Sequence, residues 1–261
     1  MGNNNHSNHD WNIEYERSGA ARASFLFEIM SEYVQFKCNR ILDLGCGAGD
    51  MSVAASKRCS FVVGLDKSRE EVKKASRRAS LGNIVGIDFM VANALFLPFS
   101  ENAFDIVIAY DLYEYFDDKN PLLKEILRVV NEGRILCITT GNRFFPLDRH
   151  TMLPFVDYLP KKLATVYVKL MRRRDAYTIF EPTYWSLRRE LSKYFRIVSI
   201  DGDSAIRLAE AAHSSYFQKY GLLRHVAIAL CKALVKIGIF KFVTFKFIAI
   251  SQKPHAVQPL C

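Results

Sequence analysis

The stretch Ile41-Leu-Asp-Leu-Gly-Cys-Gly-Ala-Gly-Asp50 decides the fold of this chain. An apolar run leads into a turn with three alternate glycines, Gly45, Gly47 and Gly49. Glycine removes side chains where a ligand must touch the backbone, and it permits the dihedral angles of a tight strand-to-helix turn. One carboxylate, Asp43, stands two residues before the first glycine. The pattern predicts a buried strand, a helix, and a nucleotide-type cofactor site between them.

The spacing of the glycines distinguishes this turn from the dinucleotide-binding fingerprint. That fingerprint reads G-x-G-x-x-G, and the position of its third glycine is Asp50 in this chain. The turn reads G-x-G-x-G and is preceded by an acid. An oxidoreductase with a dinucleotide cofactor is therefore disfavoured.

Three further segments follow in an order that βαβ units require. Residues 61–66 (FVVGLD) predict a second strand that ends in a carboxylate suited to ribose hydroxyls. Residues 89–110 predict a third strand, a loop and a fourth strand, and residues 127–140 predict a helix end, a turn and a fifth strand. Strands that alternate with helices predict a parallel, doubly wound α/β sheet.

These four segments together resemble the class I S-adenosylmethionine-dependent methyltransferases, in particular the small-molecule type of the ubiquinone and menaquinone methyltransferase group. The resemblance implies a Rossmann-like, mostly parallel seven-stranded sheet with an antiparallel last strand, and S-adenosylmethionine as cofactor. It also implies that Asp43 orders the turn and the aminoacyl end of the cofactor, and that Asp66 binds the ribose. The expected cofactor-binding residues are Asp43, Gly45, Cys46, Gly47, Gly49, Asp66, Lys67, Asn93, Ala94 and Tyr110.

Residues 142–183 are predicted to form a lid or substrate insertion at the carboxyl end of the fifth strand, the edge where ligands bind in such sheets. They bring Asp148 close to His150. Histidine can take the proton from an attacking hydroxyl, and Asp148 is expected to orient it. The alternative is that both residues only hold the insertion in place by hydrogen bonds. The second catalytic candidates are Asp111, Tyr113 and Glu114, and no metal site is predicted.

The net charge of +9 is distributed unevenly along the chain. Residues 1–141 hold 16 Lys and Arg against 19 Asp and Glu, whereas residues 142–261 hold 20 against 8. A basic field attracts phosphates, anionic lipids or nucleic acid, although it can also be a solvated face without a partner. We expect an anionic small-molecule or lipid-linked substrate, with peripheral attachment to an anionic membrane as a further hypothesis.

The remaining predictions concern organisation and location. Residues 1–10 are expected to be disordered and residues 11–261 to form one domain, with a basic, helical, amphipathic insertion at residues 204–242. Within it, residues 222–240 fit either a helix lying on a membrane or a cap over the pocket. The six cysteines include no C-x-x-C pair, which predicts a reduced, cytoplasmic protein without structural zinc. The oligomeric state is not predicted.

The function that these features predict is methylation of a hydroxyl on a small molecule, a glycan or a lipid-linked compound. Two alternatives stay open. One is an RNA methyltransferase that uses the basic C-terminal half, although residues 109–112 (AYDL) lack the [Asp/Asn]-Pro-Pro-aromatic motif of base-amino methyltransferases. The other is a non-catalytic protein that keeps the fold to bind partners.

Overall fold

The computed structural model describes residues 21–33, 40–171, 175–201, 244 and 246–255. Within these ranges, seven strands form one sheet in the order β3-β2-β1-β4-β5-β7-β6. The strands are β1 (Arg40–Leu44), β2 (Phe61–Asp66), β3 (Ile87–Val91), β4 (Phe104–Tyr110), β5 (Val130–Gly141), β6 (Arg196–Asp201) and β7 (Lys246–Gln252). The helices are α1 (residues 21–33), α2 (Asp50–Ser56), α3 (Arg69–Leu81), α4 (Asn120–Val129), α5 (Lys161–Leu170) and α6 (Tyr184–Ser192).

The sheet has the topology that the sequence predicts. Strands β1 to β5 pair in parallel, and β7 runs antiparallel between β5 and β6. The order of the strands reverses between β1 and β4, because β2 and β3 lie to one side and β5 to the other. Ligands bind at such a reversal, beyond the carboxyl ends of the strands.

Two apolar layers cover the two faces of the sheet. Side chains in a strand alternate between faces, so the neighbours Ile41 and Leu42 in β1 are both fully buried but pack in different layers. Helices α1 and α2 cover the face of Ile41, and helices α4 and α6 cover the face of Leu42. Burial on both faces explains why apolar residues predominate in β1 and β4 instead of alternating with polar ones.

The predicted insertion contains a short 3₁₀-helix, Val156–Tyr158, and helix α5, and it has a small core of its own. The chain enters it at Asn142, whose amide donates a hydrogen bond to the backbone oxygen of Thr244. The buried residues of this core are Leu153, Val156, Ala164, Val168, Tyr177 and Ile179.

Several predictions fall outside the described ranges, namely those for residues 1–10, 204–242 and 222–240. The prediction that all cysteines are reduced is wrong for Cys59, which is disulfide-bonded. Cys46 and Cys137 are free and buried. Disulfides are rare in reducing compartments, so the cysteines give no support to a cytoplasmic location. None of the helices within the described ranges combines the length and the hydropathy that a bilayer span requires.

Candidate functional site

A cavity of about 770 Å³ opens at the carboxyl ends of β1, β2 and β4. Nine of the ten predicted cofactor-binding residues line it, and Gly49 is the exception. The predicted catalytic candidate Asp111 lines it too, whereas Asp148 and His150 do not. The cavity walls are formed by Arg22, Asp43, Gly45, Cys46, Gly47, Ala48, Asp50, Met51, Leu65, Asp66, Lys67, Ala92, Asn93, Ala94, Tyr110, Asp111, Leu112, Tyr115 and Phe116.

The carboxylate of Asp66 holds the glycine turn in place. Its Oδ2 accepts a hydrogen bond from the backbone N–H of Gly47 at 3.0 Å, and its Oδ1 accepts one from Ser68 at 2.8 Å. Gly47 has a φ of 50°, and a Cβ built on it would meet no atom within 4 Å. The backbone is therefore bare where a ligand would approach it.

Asp43 lies beneath the turn and is almost completely buried. The hydroxyl of Ser52 donates to its Oδ2 at 2.5 Å, whereas its Oδ1 has no hydrogen-bond partner among the described residues. Burial raises the pKa of Asp43 to about 7, although the hydrogen bond from Ser52 acts to lower it. A buried carboxylate oxygen without a partner beside a cavity fits a cationic group of a ligand.

Gly49 has a packing role that the sequence pattern does not distinguish from ligand contact. It has a φ of 85°, and a Cβ on it would lie 3.0 Å from both Ala75 and the ring of Phe89. The packing of Gly49 against these two side chains accounts for the glycine without a ligand, and its predicted contact with the cofactor stays a prediction. A glycine is needed there because α2 begins in a left-handed conformation against α3 and β3.

Asp111 lies at the other end of the cavity, and its carboxylate already has cationic and hydroxyl partners. Lys246 Nζ lies 2.7 Å from it, Arg149 Nη1 lies 3.4 Å from it, and the Thr139 hydroxyl donates to it at 3.0 Å. Burial opposes the ionisation of Asp111, but these cations and hydrogen bonds outweigh it and hold its pKa well below the usual range. A carboxylate this acidic accepts protons poorly near neutral pH, which argues against Asp111 as a general base.

Arg149 joins three carboxyl groups at this end of the site. Its guanidinium contacts Glu114 at 2.7 Å and both Asp111 and Glu181 at 3.4 Å. The sequence analysis missed Arg149, Glu181 and Lys246. Of these three, only Lys246 is recognisable from its local sequence, because it is a charged residue directly before the apolar run 247–250.

The charges in this cluster do not balance, and the pKa values of its members differ accordingly. Burial opposes the ionisation of Glu114, but the neighbouring imidazole of His150 and the charge of Arg149 outweigh it and lower its pKa. For Glu181, burial and the nearby carboxylates outweigh Arg149 and raise its pKa to about 8. Glu181 is therefore largely protonated at neutral pH, and its contact with Arg149 is a hydrogen bond rather than an ion pair.

The predicted pairing of Asp148 with the imidazole of His150 is wrong. Oδ2 of Asp148 accepts hydrogen bonds from the backbone N–H groups of His150 and Thr151 and from the Thr151 hydroxyl. Its Oδ1 accepts one from the Tyr177 hydroxyl at 2.8 Å. Asp148 thus organises the loop, as the structural alternative expected.

Glu114 is the carboxylate beside the imidazole. His150 Nε2 lies 3.4 Å from Glu114 Oε1. The imidazole packs edge-on against the ring of Tyr115 at 5.8 Å, and Tyr115 lines the cavity. Glu114, His150 and Glu181 also present oxygen and nitrogen atoms within 4.8 Å of one another, as metal ligands do. Arg149 already contacts both carboxyl groups of this set. The positive charge beside these carboxyl groups therefore comes from its guanidinium.

A doubly wound sheet of this order, with a glycine turn after β1 and an acid at the end of β2, defines the class of nucleotide-cofactor-binding Rossmann-like proteins. Residues 36–181 match a family model described as a methyltransferase domain, and the chain belongs to that family. The resemblance to class I S-adenosylmethionine-dependent methyltransferases is thereby confirmed.

Two relatives show the level of sequence similarity. The chain is 29% identical over 153 residues to the chloroplastic tocopherol O-methyltransferase of Arabidopsis thaliana, a match covering 57% of this chain and 44% of that protein. It is 32% identical over 137 residues to the demethylmenaquinone methyltransferase of Lactococcus lactis, covering 51% and 54%. The matches span about half the length of these curated relatives.

Solved structures share the fold. A SAM-dependent methyltransferase from Methanosarcina mazei superposes with a TM-score of 0.55 at 18% identity, covering 87% of this chain and 97% of that one. The [4+2]-cyclase SpnF superposes with a TM-score of 0.58 at 20% identity, covering 89% and 81%. The second likeness shows that one fold accommodates different chemistry.

We predict that Arg149→Met destabilises the protein by about 3–5 kcal/mol, because it leaves the buried carboxylates of Asp111 and Glu114 without their shared cation. Chemical denaturation followed by circular dichroism measures this loss. Arg189→Met is the matched control, since Arg189 is exposed and, among the described residues, pairs only with its neighbour Glu190. The control should change stability by at most about 1 kcal/mol. Equal effects in the two variants would contradict a structural role for the buried cluster.

Proposed function

We propose that this protein transfers the methyl group of S-adenosylmethionine to a hydroxyl group of a small molecule. The observation that carries the proposal is the cavity at the carboxyl edge, where Asp43, Gly47 and Asp66 lie together. The family to which the chain belongs supports the same reaction class. Methyl transfer needs an acceptor held in line with the reacting group, so positioning alone supplies much of the rate.

The residues around the cavity suit the three parts of this cofactor. Oδ1 of Asp43 would pair with the ammonium of the aminoacyl end, and the bare backbone at Gly47 would accommodate the chain beside it. Asp66 would bind the ribose hydroxyls while keeping its hydrogen bonds to the turn, and Asn93 would contact the adenine edge. When bound, the cofactor supplies an activated methyl group on a sulfonium. The acceptor is then expected beside Tyr115, at the other end of the cavity.

His150 is our proposed proton acceptor: it does not line the cavity itself, but its imidazole packs against Tyr115, which does. Glu114 takes the orienting role that Asp148 was expected to have. Glu114 is fully buried and its carboxylate lies against the imidazole. Asp111 is proposed to position the acceptor rather than to remove its proton, because its carboxylate faces the cavity but is held ionised by Lys246 and Arg149.

The acceptor is proposed to be a lipid-soluble or anionic compound. The two relatives described above are named for tocopherol and demethylmenaquinone, both of which are small molecules. The excess of basic residues after residue 141 favours a negatively charged group or a membrane surface near the acceptor. An RNA acceptor gains no support from these relatives. A purely binding role gains no support from these relatives either, since both are named methyltransferases.

We predict that Asp66→Asn weakens binding of S-adenosylhomocysteine at least about tenfold, because a charged acceptor of hydrogen bonds is worth about 1.5–3 kcal/mol. Isothermal titration calorimetry measures the affinity. Asp88→Asn is the matched control, since Asp88 lies on the neighbouring strand β3, is exposed and does not line the cavity. Affinity like that of the unchanged protein in Asp66→Asn would remove the cofactor assignment.

The affinity for S-adenosylhomocysteine should also depend on pH through Asp43. Binding to an ammonium group requires the ionised carboxylate, and the pKa of Asp43 in the free protein is about 7. The dissociation constant is therefore expected to fall as the pH rises towards 7 and to level off above it. In Asp43→Asn this pH dependence should disappear. Titrations on both sides of neutral pH decide the point, and an unchanged pH profile in the variant would place the ammonium elsewhere.

For catalysis, we predict that His150→Gln lowers turnover about a hundredfold and leaves the affinity for S-adenosylhomocysteine unchanged, as loss of a general base should. Release of S-adenosylhomocysteine is measured with a panel of hydroxylated quinols and chromanols as acceptors. His255→Gln is the control, because His255 packs against Gly133 near the start of β5, away from the cavity. Full turnover in His150→Gln would leave His150 with a structural role only.

A further inference from the structure

Helix α5 has an apolar face that is largely exposed within the described structure. Leu163, Val166 and Leu170 are 57%, 53% and 74% exposed. Their spacing of three and four residues places them on one side of the helix. The opposite side carries Ala164 and Val168, which are buried in the core of the insertion. The insertion therefore needs only one of the two apolar faces of α5 for its own packing.

Two further exposed aromatic residues, Phe155 and Tyr158, lie in the short segment directly before α5. Phe155 is 58% exposed, and its ring packs edge-on against that of Tyr158 at 5.8 Å. Phe155 also has a φ of 58°, which is unfavourable for a bulky residue and recurs at functional positions. We define the outer face as Phe155, Tyr158, Leu163, Val166, Leu170 and Met171, all of which are substantially exposed. So many exposed apolar residues within one short segment indicate an interaction site.

The charges around the outer face have one sign. Lys162 and Lys169 flank the apolar stripe on α5, are exposed, and form no ion pair among the described residues. The sequence from residue 158 to residue 174 contains three lysines and three arginines and no acid. A second copy of the same face would bring like charges together, so self-association is disfavoured. Apolar side chains bordered by cations are the composition of a helix that lies in a membrane interface.

We propose that the outer face docks on an anionic lipid bilayer. Its apolar side chains would lie below the lipid headgroups, and Lys162 and Lys169 would lie among the headgroups. The insertion begins at the carboxyl end of β5, the edge of the sheet at which the cavity also opens. Docking there would bring that edge to the lipid surface, where a lipid-soluble acceptor is concentrated. The surface itself requires no methyl transfer, so it can be tested without cofactor or acceptor.

The test is flotation of the full chain with vesicles of phosphatidylcholine, alone or with phosphatidylglycerol, at low and high salt. We expect binding to the anionic vesicles that weakens as salt screens the lysines. The triple variant Leu163→Ser, Val166→Ser, Leu170→Ser should lower the partition coefficient at least about tenfold. Its control is Leu81→Ser with Val85→Ser, two apolar residues that are 75% and 85% exposed elsewhere.

A charge variant tests the second half of the proposal. Lys162→Gln with Lys169→Gln should lower the partition coefficient at low salt about 25-fold, since each lysine near an anionic surface contributes a factor of about five. The control is Lys57→Gln with Lys124→Gln. Lys57 directly follows helix α2, Lys124 lies on helix α4, and both are exposed. Equal losses in the test and control variants would show general attraction of a basic protein rather than docking through this face.

Other outcomes would overturn the proposal directly. One is a chain that stays in solution with anionic vesicles at low salt. Another is a dimer, seen by light scattering, that the triple serine variant abolishes, because the face would then join two copies. A marked fall in the melting temperature of that variant would show that the face is covered within the chain itself. Neither vesicle binding nor its loss depends on the proposed methyl transfer.

Discussion

The contacts of Arg149 are the constraint on which the rest of the site depends. This residue comes from the insertion, yet it contacts Asp111 at the end of β4, Glu114 in the following turn and Glu181 at the far end of the insertion. Lys246 adds a second cation from β7. Burying so many charged groups is costly unless each is paired. The insertion therefore has one position on the sheet that satisfies them, and that position defines the acceptor end of the cavity.

The imbalance of charge in this cluster has a chemical consequence. Three carboxyl groups meet two permanent cations, and the structure accommodates the excess by keeping Glu181 largely protonated. A Cβ on Gly141 would overlap the carboxyl of Glu181, so this glycine at the end of β5 is what allows the close approach. Asp111 has a φ of 53°, unusual for a residue with a side chain, and its bonds to Thr139 and Lys246 hold it there. Strain and charge are thus concentrated at the same edge of the sheet.

The cofactor end of the cavity is built differently, mainly from backbone. Asp66 bonds to two backbone N–H groups, and Asp43 lies beneath the turn with one oxygen unpaired. Both arrangements place negative charge around a bare glycine backbone. The insertion adds a third kind of surface, since α5 buries Ala164 and Val168 and exposes Leu163 and Leu170. If the outer face docks as proposed, the cofactor, the acceptor and the lipid surface meet around one edge of the sheet.

The sequence pattern predicted the seven-stranded, mostly parallel sheet with its antiparallel last strand, and nine of the residues that line the cavity. These features are local, because each of the first five strands contains an apolar run and the predicted lining residues stand at or just beyond the ends of strands. Only the tertiary structure decided the acceptor end, where Asp111, Arg149, Glu181 and Lys246 meet from distant parts of the chain. Asp148 was expected beside the imidazole of His150 because the two residues are neighbours in the chain. In the folded protein the imidazole lies against Glu114 instead, and Asp148 accepts hydrogen bonds from backbone N–H groups. Gly49 shows the same limit, because its close packing against Ala75 and Phe89 is not visible in the sequence. A glycine required by packing and a glycine required by a ligand look the same until the neighbouring helix and strand are in place.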